Sequence, residues 1–107
     1  MMDGSVTVDL GDKQYRLALT LAALEKIEAD FGSLFEARQR VVVQSLTAIC
    51  KVIAAGASLS PSQAKELKQE VFRAGVLNVA PKVHEYIVRM HDPENRGDLE
   101  ETDSGED

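Results

Sequence analysis

The stretch LTLAALEKIEADFG, residues 19–32, decides how this chain folds. It opens on a strand-like leucine, Leu19, and passes through Thr20 into a run with a different period. Leu21, Leu24, Ile27 and Phe31 recur at three- and four-residue spacing, which places them on one face of a helix. Glu25, Lys26, Glu28 and Asp30 fall elsewhere and read as a solvated face, not as paired acid–base carboxylates, which need a buried and perturbed setting. Thr20 suits the N-cap, because its hydroxyl can accept from a free amide of the first turn. Gly32 can take the left-handed conformation that closes a helix. The stretch is therefore a joint, at which an extended segment becomes a helix that must lie against it.

Upstream of the joint the apolar residues alternate. Val6, Val8 and Leu10 share one parity; Tyr15, Leu17 and Leu19 share the other. With Gly11-Asp12-Lys13-Gln14 as a four-residue loop, Leu10 faces Tyr15, Val8 faces Leu17 and Val6 faces Leu19, with Asp9 opposite Arg16 on the outer side. All the large apolar side chains then share one face, as the period of two requires. A hairpin over about residues 5–19 follows. It needs helices to cover it, because two strands alone are marginal.

Downstream, Ser33-Leu34-Phe35-Glu36 reads as a capping box. Arg38 and Arg40 soon after would oppose the dipole of a long helix beginning there. The spacing therefore predicts a short capped helix and then a long one from near Val41. The long helix carries Val42, Val43, Leu46, Ile49, Cys50 and Ile53 on a broad apolar face and ends at Gly56. Ser60-Pro61-Ser62-Gln63 is a second box with proline at the first helical position. Ala64, Leu67 and Val71 face inward in the helix that follows, which stops at Gly75. A last helix is expected from Ala80-Pro81, with Val83, Tyr86, Ile87 and Met90 as its stripe. The fold class is α+β, mainly α: an N-terminal hairpin packed on about four helices. Residues 1–91 form one domain.

Composition agrees with a single small domain. The 107 residues are 44% hydrophobic but only 5% aromatic, with no Trp, so Leu, Val, Ile and Ala must build the core. Of the net charge of −6, residues 92–107 carry −7 (eight acids against Arg96), which leaves the body at +1. This segment lacks periodicity and is expected to be a disordered acidic tail. A neutral body argues against a nucleic-acid footprint. No apolar run reaches the ~20 residues of a membrane span. The opening MMDGSVTV lacks the basic and apolar regions of a secretory signal, so a cytoplasmic location is expected.

Nothing in the sequence assembles a reaction centre. His84 and His91 are two turns apart on one helix, about 10 Å, too far to share a metal ion unaided. Cys50 sits on the broad apolar face, without the base and exposure a reactive thiol needs. Ala55-Gly56-Ala57 is too short and too poor in glycine to cradle phosphate. No catalytic residue, cofactor or metal is expected, and the chain does not read as an enzyme.

One resemblance goes further. RLALTLAALEKIEADFG, residues 16–32, is similar to the opening signature of phage tail assembly chaperones of the gene transfer agent type. In that family a strand ending in leucine enters T-L-x-x-L-x-x-h-E-x-x-F-G, with h apolar. Thr20, Leu21, Leu24, Ile27, Glu28, Phe31 and Gly32 match in place. AAGASLSPSQAKEL, residues 54–67, resembles the family's glycine break and capped third helix. AGVLNVAPKVHEYIVRM, residues 74–90, resembles its closing glycine and final helix. The resemblance spans roughly Val6 to Met90.

The resemblance implies a bacteriophage, prophage or gene transfer agent protein that binds and solubilises the tape measure protein during viral tail assembly in the host cytoplasm. Such a protein is absent from the mature particle. Tail tube protein is a further partner, self-association is left open, and nucleic acid and membrane are not implied. Such a client calls for an apolar groove that takes amphipathic helices. Leu34, Phe35, Phe72, Val76 and Leu77 are the candidate partner-binding residues, because they stand at helix ends off the main stripes. The alternative from another class is a small phage-encoded regulatory or adaptor module with one specific partner.

Overall fold

The alternating apolar residues near the N-terminus pair as two short strands, and the periodic segments after them coil as helices. The computed structural model describes residues 4–91. It contains an antiparallel hairpin, β1 (Val6–Asp9) and β2 (Gln14–Leu17). Then follow α1 (Leu21–Phe31), α2 (Leu34–Val42), α3 (Leu46–Ala57), α4 (Pro61–Ala74) and α5 (Val76–His91). The α+β, mainly α class holds, with five helices among the described residues instead of about four. The expected acidic tail, 92–107, lies outside them.

The hairpin register differs from the expected one by two residues. Val6 pairs with Leu17, Val8 with Tyr15 and Asp9 with Gln14. The loop is the two-residue Gly11-Asp12, closed by Leu10 N–H donating to the Lys13 carbonyl at 2.8 Å. Gly11 has φ +91°, as the first central position of a primed turn demands, and such turns match strand twist better than types I and II do. A slip of two leaves every side chain on its face. Val6, Val8, Leu10, Leu17 and Leu19 are accordingly buried.

Three of the expected caps are in place. Thr20 accepts from Ala23 N–H and Ser33 from Glu36 N–H, while Ser60 and Gln63 form the full reciprocal box. The boundary between α2 and α3 lies later than the apolar spacing predicts. Val42 and Val43 prolong the apolar pattern, but Gln44 turns left-handed at φ 63° and Ser45 caps α3 through Ala48 N–H. The long helix thus begins at Leu46, not Val41, and Val42 and Val43 stand 54% and 70% exposed instead of in the core.

Gly56 does not end α3. It lies inside the helix, buried where the hairpin exit crosses. A Cβ there would come within 2.9 Å of Leu17 Cβ and 3.1 Å of the Tyr86 ring. Its carbonyl accepts from Ala18 N–H at 3.0 Å. The left-handed residue that terminates α3 is Ser58.

The last helix also starts earlier than expected. Gly75 stops α4, and its carbonyl immediately accepts from Asn78 and Val79 N–H, so α5 begins at Val76 and Pro81 lies inside it. Pro81 forgoes only the bond to the Leu77 carbonyl, one turn back on the exposed side.

Helix α3 is central and touches β2, α1, α2, α4 and α5. Ile49, Val52 and Ile53 are fully buried there. Cys50 belongs to the same core, and burial pushes its thiol up to about 11. The apolar face of the hairpin is covered by α5 against β1 and α3 against β2.

Candidate functional site

Two surface features could meet a partner. The first is a cleft of about 980 Å³ between the β1–β2 turn and α4, lined by Asp9 to Lys13 with Glu66, Gln69, Glu70, Arg73 and Ala74. Its polar groups largely satisfy one another. Lys13 Nζ bonds Glu70 Oε2 at 2.8 Å, and Tyr15 O–H donates to Glu70 Oε1 at 2.6 Å. Burial pushes the Glu70 carboxyl up. The hydrogen bonds from Lys13 and Tyr15, with the charges of Lys13 and Arg73, more than reverse this and hold it below the ordinary carboxylate value. The same bond to Glu70 raises Lys13; burial, then Glu70, raises Tyr15. This is a clamp that ties the hairpin to α4.

The second feature is a shallow groove of about 240 Å³ between α2 and α5, lined by Val41, Val42, Gln44, Ala80, Pro81 and His84. The helices run antiparallel along it, since Arg38 meets His84 while Val41 and Val42 meet Ala80 and Pro81. Arg38 Nε–H donates to His84 Nε2 at 3.4 Å. Phe35, Arg38 and Val42 share one stripe of α2; Leu77, Pro81 and His84 share one of α5. Phe35 therefore extends the groove at one end and Leu77 at the other. Phe35 is 55% and Leu77 65% exposed.

The five candidate residues divide on this geometry. Phe35 and Leu77 flank the groove. Leu34 and Val76 are half-buried against the core. Phe72 is exposed, but on α4, which does not line the groove. Val42 and Pro81 line the groove and are not among the candidates that the sequence suggests. Val42 and Val43 were absorbed into a core stripe, and Pro81 into a helix start. The available signal was Ser45, a good N-cap placed directly after them.

Among the described residues, no group of three or more His, Cys, Asp and Glu side chains could hold a metal ion, and no helix is long and apolar enough to cross a membrane. The groove offers apolar contact area, with Arg38 and His84 at one side.

Comparison with known proteins gives one match. The family model described as phage tail tube protein, GTA-gp10, matches residues 3–90. No curated protein and no solved structure matches the chain. The matched span includes the hairpin and almost all of α5, so the chain belongs to this family of phage tail-related proteins.

Proposed function

From its place in that family, we propose that this protein is a tail assembly chaperone that binds and solubilises the tape measure protein in the host cytoplasm. It acts by binding, not as an enzyme. The observation that carries the reading is the α2–α5 surface, where Phe35, Val42 and Leu77 stay exposed outside the buried core. Contiguous exposed apolar surface marks interaction sites. A groove between two antiparallel helices suits the apolar stripe of a client helix. Single contacts of this size are weak, so affinity for a long client comes from several copies along it.

Co-expression with the tape measure protein encoded beside it tests this. The expected result is a soluble tape measure that co-elutes with the chain on size-exclusion chromatography, and purified tails that lack the chain. A tape measure equally soluble alone, with no complex, overturns the reading and favours an adaptor with one epitope at fixed stoichiometry. The family's description as tail tube protein supports a second reading, a component of the tail tube itself. That reading requires the chain in purified mature tails at a stoichiometry comparable with tube subunits, which mass spectrometry measures.

A further inference from the structure

We propose that the outer face of α4 joins two copies of this chain. The two α4 helices pack antiparallel, with Glu66 of each against Arg73 of the other. Phe72 of each lies between Lys65 and Lys68 of the other. This surface is separate from the groove assigned above to the client, because α4 does not line that groove.

Three observations carry it. The first is an exposed aromatic among unmatched charges. Phe72 is 69% exposed, and Lys65, Glu66, Lys68 and Arg73 are exposed on the same helix. None of these four has an ion-pair partner among the described residues. Charges on a helix normally find partners three or four residues away. Lys65 and Lys68 have no carboxylate at that spacing, and Glu66 has no base. Arg73 has Glu70, but Lys13 and Tyr15 already occupy that carboxylate.

The second is their arrangement. At about 3.6 residues per turn, Gln69 lies mid-face, with Glu66 and Arg73 to one side and Lys65, Lys68 and Phe72 to the other. Glu66 and Arg73 are two turns apart, about 10 Å. A twofold axis crossing α4 between Gln69 and Glu70 keeps each residue on its side of the face and inverts its height. Glu66 then meets Arg73 of the second copy and the reverse, as a self-complementary interface requires. On the other side the same operation sets Phe72 between the second copy's two lysines. Their alkyl stems cover the ring, and an ammonium can sit over its face.

The third is the cleft beside α4. With Glu70 and Lys13 occupied by each other, Asp9, Asp12 and Glu66 line it against Arg73 alone. The cleft therefore has room and net negative charge for a second guanidinium, which suits carboxylates better than an ammonium does. One pair of helices is smaller than a standard interface of about 1,600 Å², so the dimer is weak and forms reversibly as concentration rises. Client binding by separate copies does not depend on it.

The test is sedimentation equilibrium of the full chain, without client, across a concentration series. It is run at about 0.15 M salt, which screens the −6 charge of each copy beyond about 8 Å. The expected result is a weight-average mass that climbs from the monomer's 11.7 kDa toward twice that value. Glu66→Arg and Arg73→Glu should each weaken the dimer about three- to tenfold, since each sets two like-charged pairs opposite one another. Both changes in one chain should restore it. Phe72→Ser should weaken it, and Leu77→Ser, on α5, should not. All these side chains are exposed, and thermal melts verify that the variants fold. A mass that stays at 11.7 kDa throughout overturns the proposal. So does a dimer that both single reversals leave intact, or that the double change fails to restore. A dimer lost in Leu77→Ser but kept in Phe72→Ser also overturns it, by placing the second copy on the α2–α5 groove.

Discussion

The hairpin end and the α2–α5 end use their side chains in opposite ways. At the hairpin end most polar and apolar groups are consumed, with Leu21 at the start of α1 left 69% exposed. Glu70 ties Lys13 and Tyr15 to α4, and Tyr86 O–H donates to the Ala18 carbonyl at 2.6 Å. Arg89 donates to the Gly4 carbonyl at 2.9 Å. At the α2–α5 end, Phe35, Val42 and Leu77 stand in solvent, and Arg38 and His84 join the two helices by one bond of 3.4 Å. The first region is constrained for folding. The second keeps apolar surface that the fold does not use, and in a protein this small such surplus is informative about binding.

The widest separation between the two regions should come from the same kind of substitution placed in each. Leu17→Asp buries an unpaired charge on the inner face of the hairpin, in a side chain with no solvent exposure. It should abolish cooperative unfolding, since the cost, several kcal/mol, is comparable to the whole stability of a small domain. Val43→Asp places the same carboxylate in solvent and should melt like the parent. Equal melting of the two variants would erase the distinction between the regions.

Gly56→Ala probes how closely the hairpin exit is packed on α3. The helix propensity of alanine favours the change by ~1 kcal/mol. The new Cβ, however, meets Leu17 Cβ and the Tyr86 ring at 2.9 and 3.1 Å. Overpacking of this kind costs about 1–3 kcal/mol. The expected outcome is a net loss, read by chemical denaturation. A gain would show that the two layers can separate freely.

Much of this contrast was legible in the sequence, for physical reasons that also explain what was not. Parity located the buried face of the hairpin, because a side chain's face depends only on odd or even position. Parity cannot detect a slip of two, so the register had to come from the Gly11-Asp12 turn. Thr20, Ser33 and Ser60 marked helix starts because their hydroxyls replace missing backbone acceptors. Ser45 would have done the same for α3, but Val42 and Val43 continued the apolar period across the break. That period registers hydrophobicity and not burial. The groove was thereby half hidden: Phe35 and Leu77 stood out as off-stripe residues, whereas Val42 and Val43 looked like core. Pro81 misled in the same way, since proline inside a helix is tolerated where the lost bond faces solvent.

The Glu70 clamp gives a smaller effect with a definite pH dependence. The folded Glu70 pKa lies below its ordinary value of 4.5. Its contribution is therefore present above that value and is lost as pH falls through the depressed folded pKa. Lys13 and Tyr15 are raised from 10.5 and 10.0. Their contributions are present below those values and are lost as pH rises through the raised ones. Stability should fall at both extremes, and Glu70→Gln should flatten both limbs. The loss at neutral pH should be small, because the Lys13 end of the network is exposed to solvent. Denaturation midpoints across pH check this. Limbs of unchanged steepness in Glu70→Gln would place the pH dependence elsewhere.

The smallest expected change in stability carries the most functional weight. Phe35→Ser, Val42→Ser and Leu77→Ser each alter a side chain more than half exposed, and each should stay within about 0.5 kcal/mol of the parent. If the α2–α5 surface meets the client, the triple variant should fold normally yet fail to keep the tape measure protein soluble. Phe72→Ser, equally exposed but on α4, should leave solubilisation intact. That pairing separates a specific groove from general surface hydrophobicity, which both changes reduce. If Phe72→Ser abolishes solubilisation while the triple variant retains it, the client site lies on α4. The α2–α5 surplus would then need a different explanation.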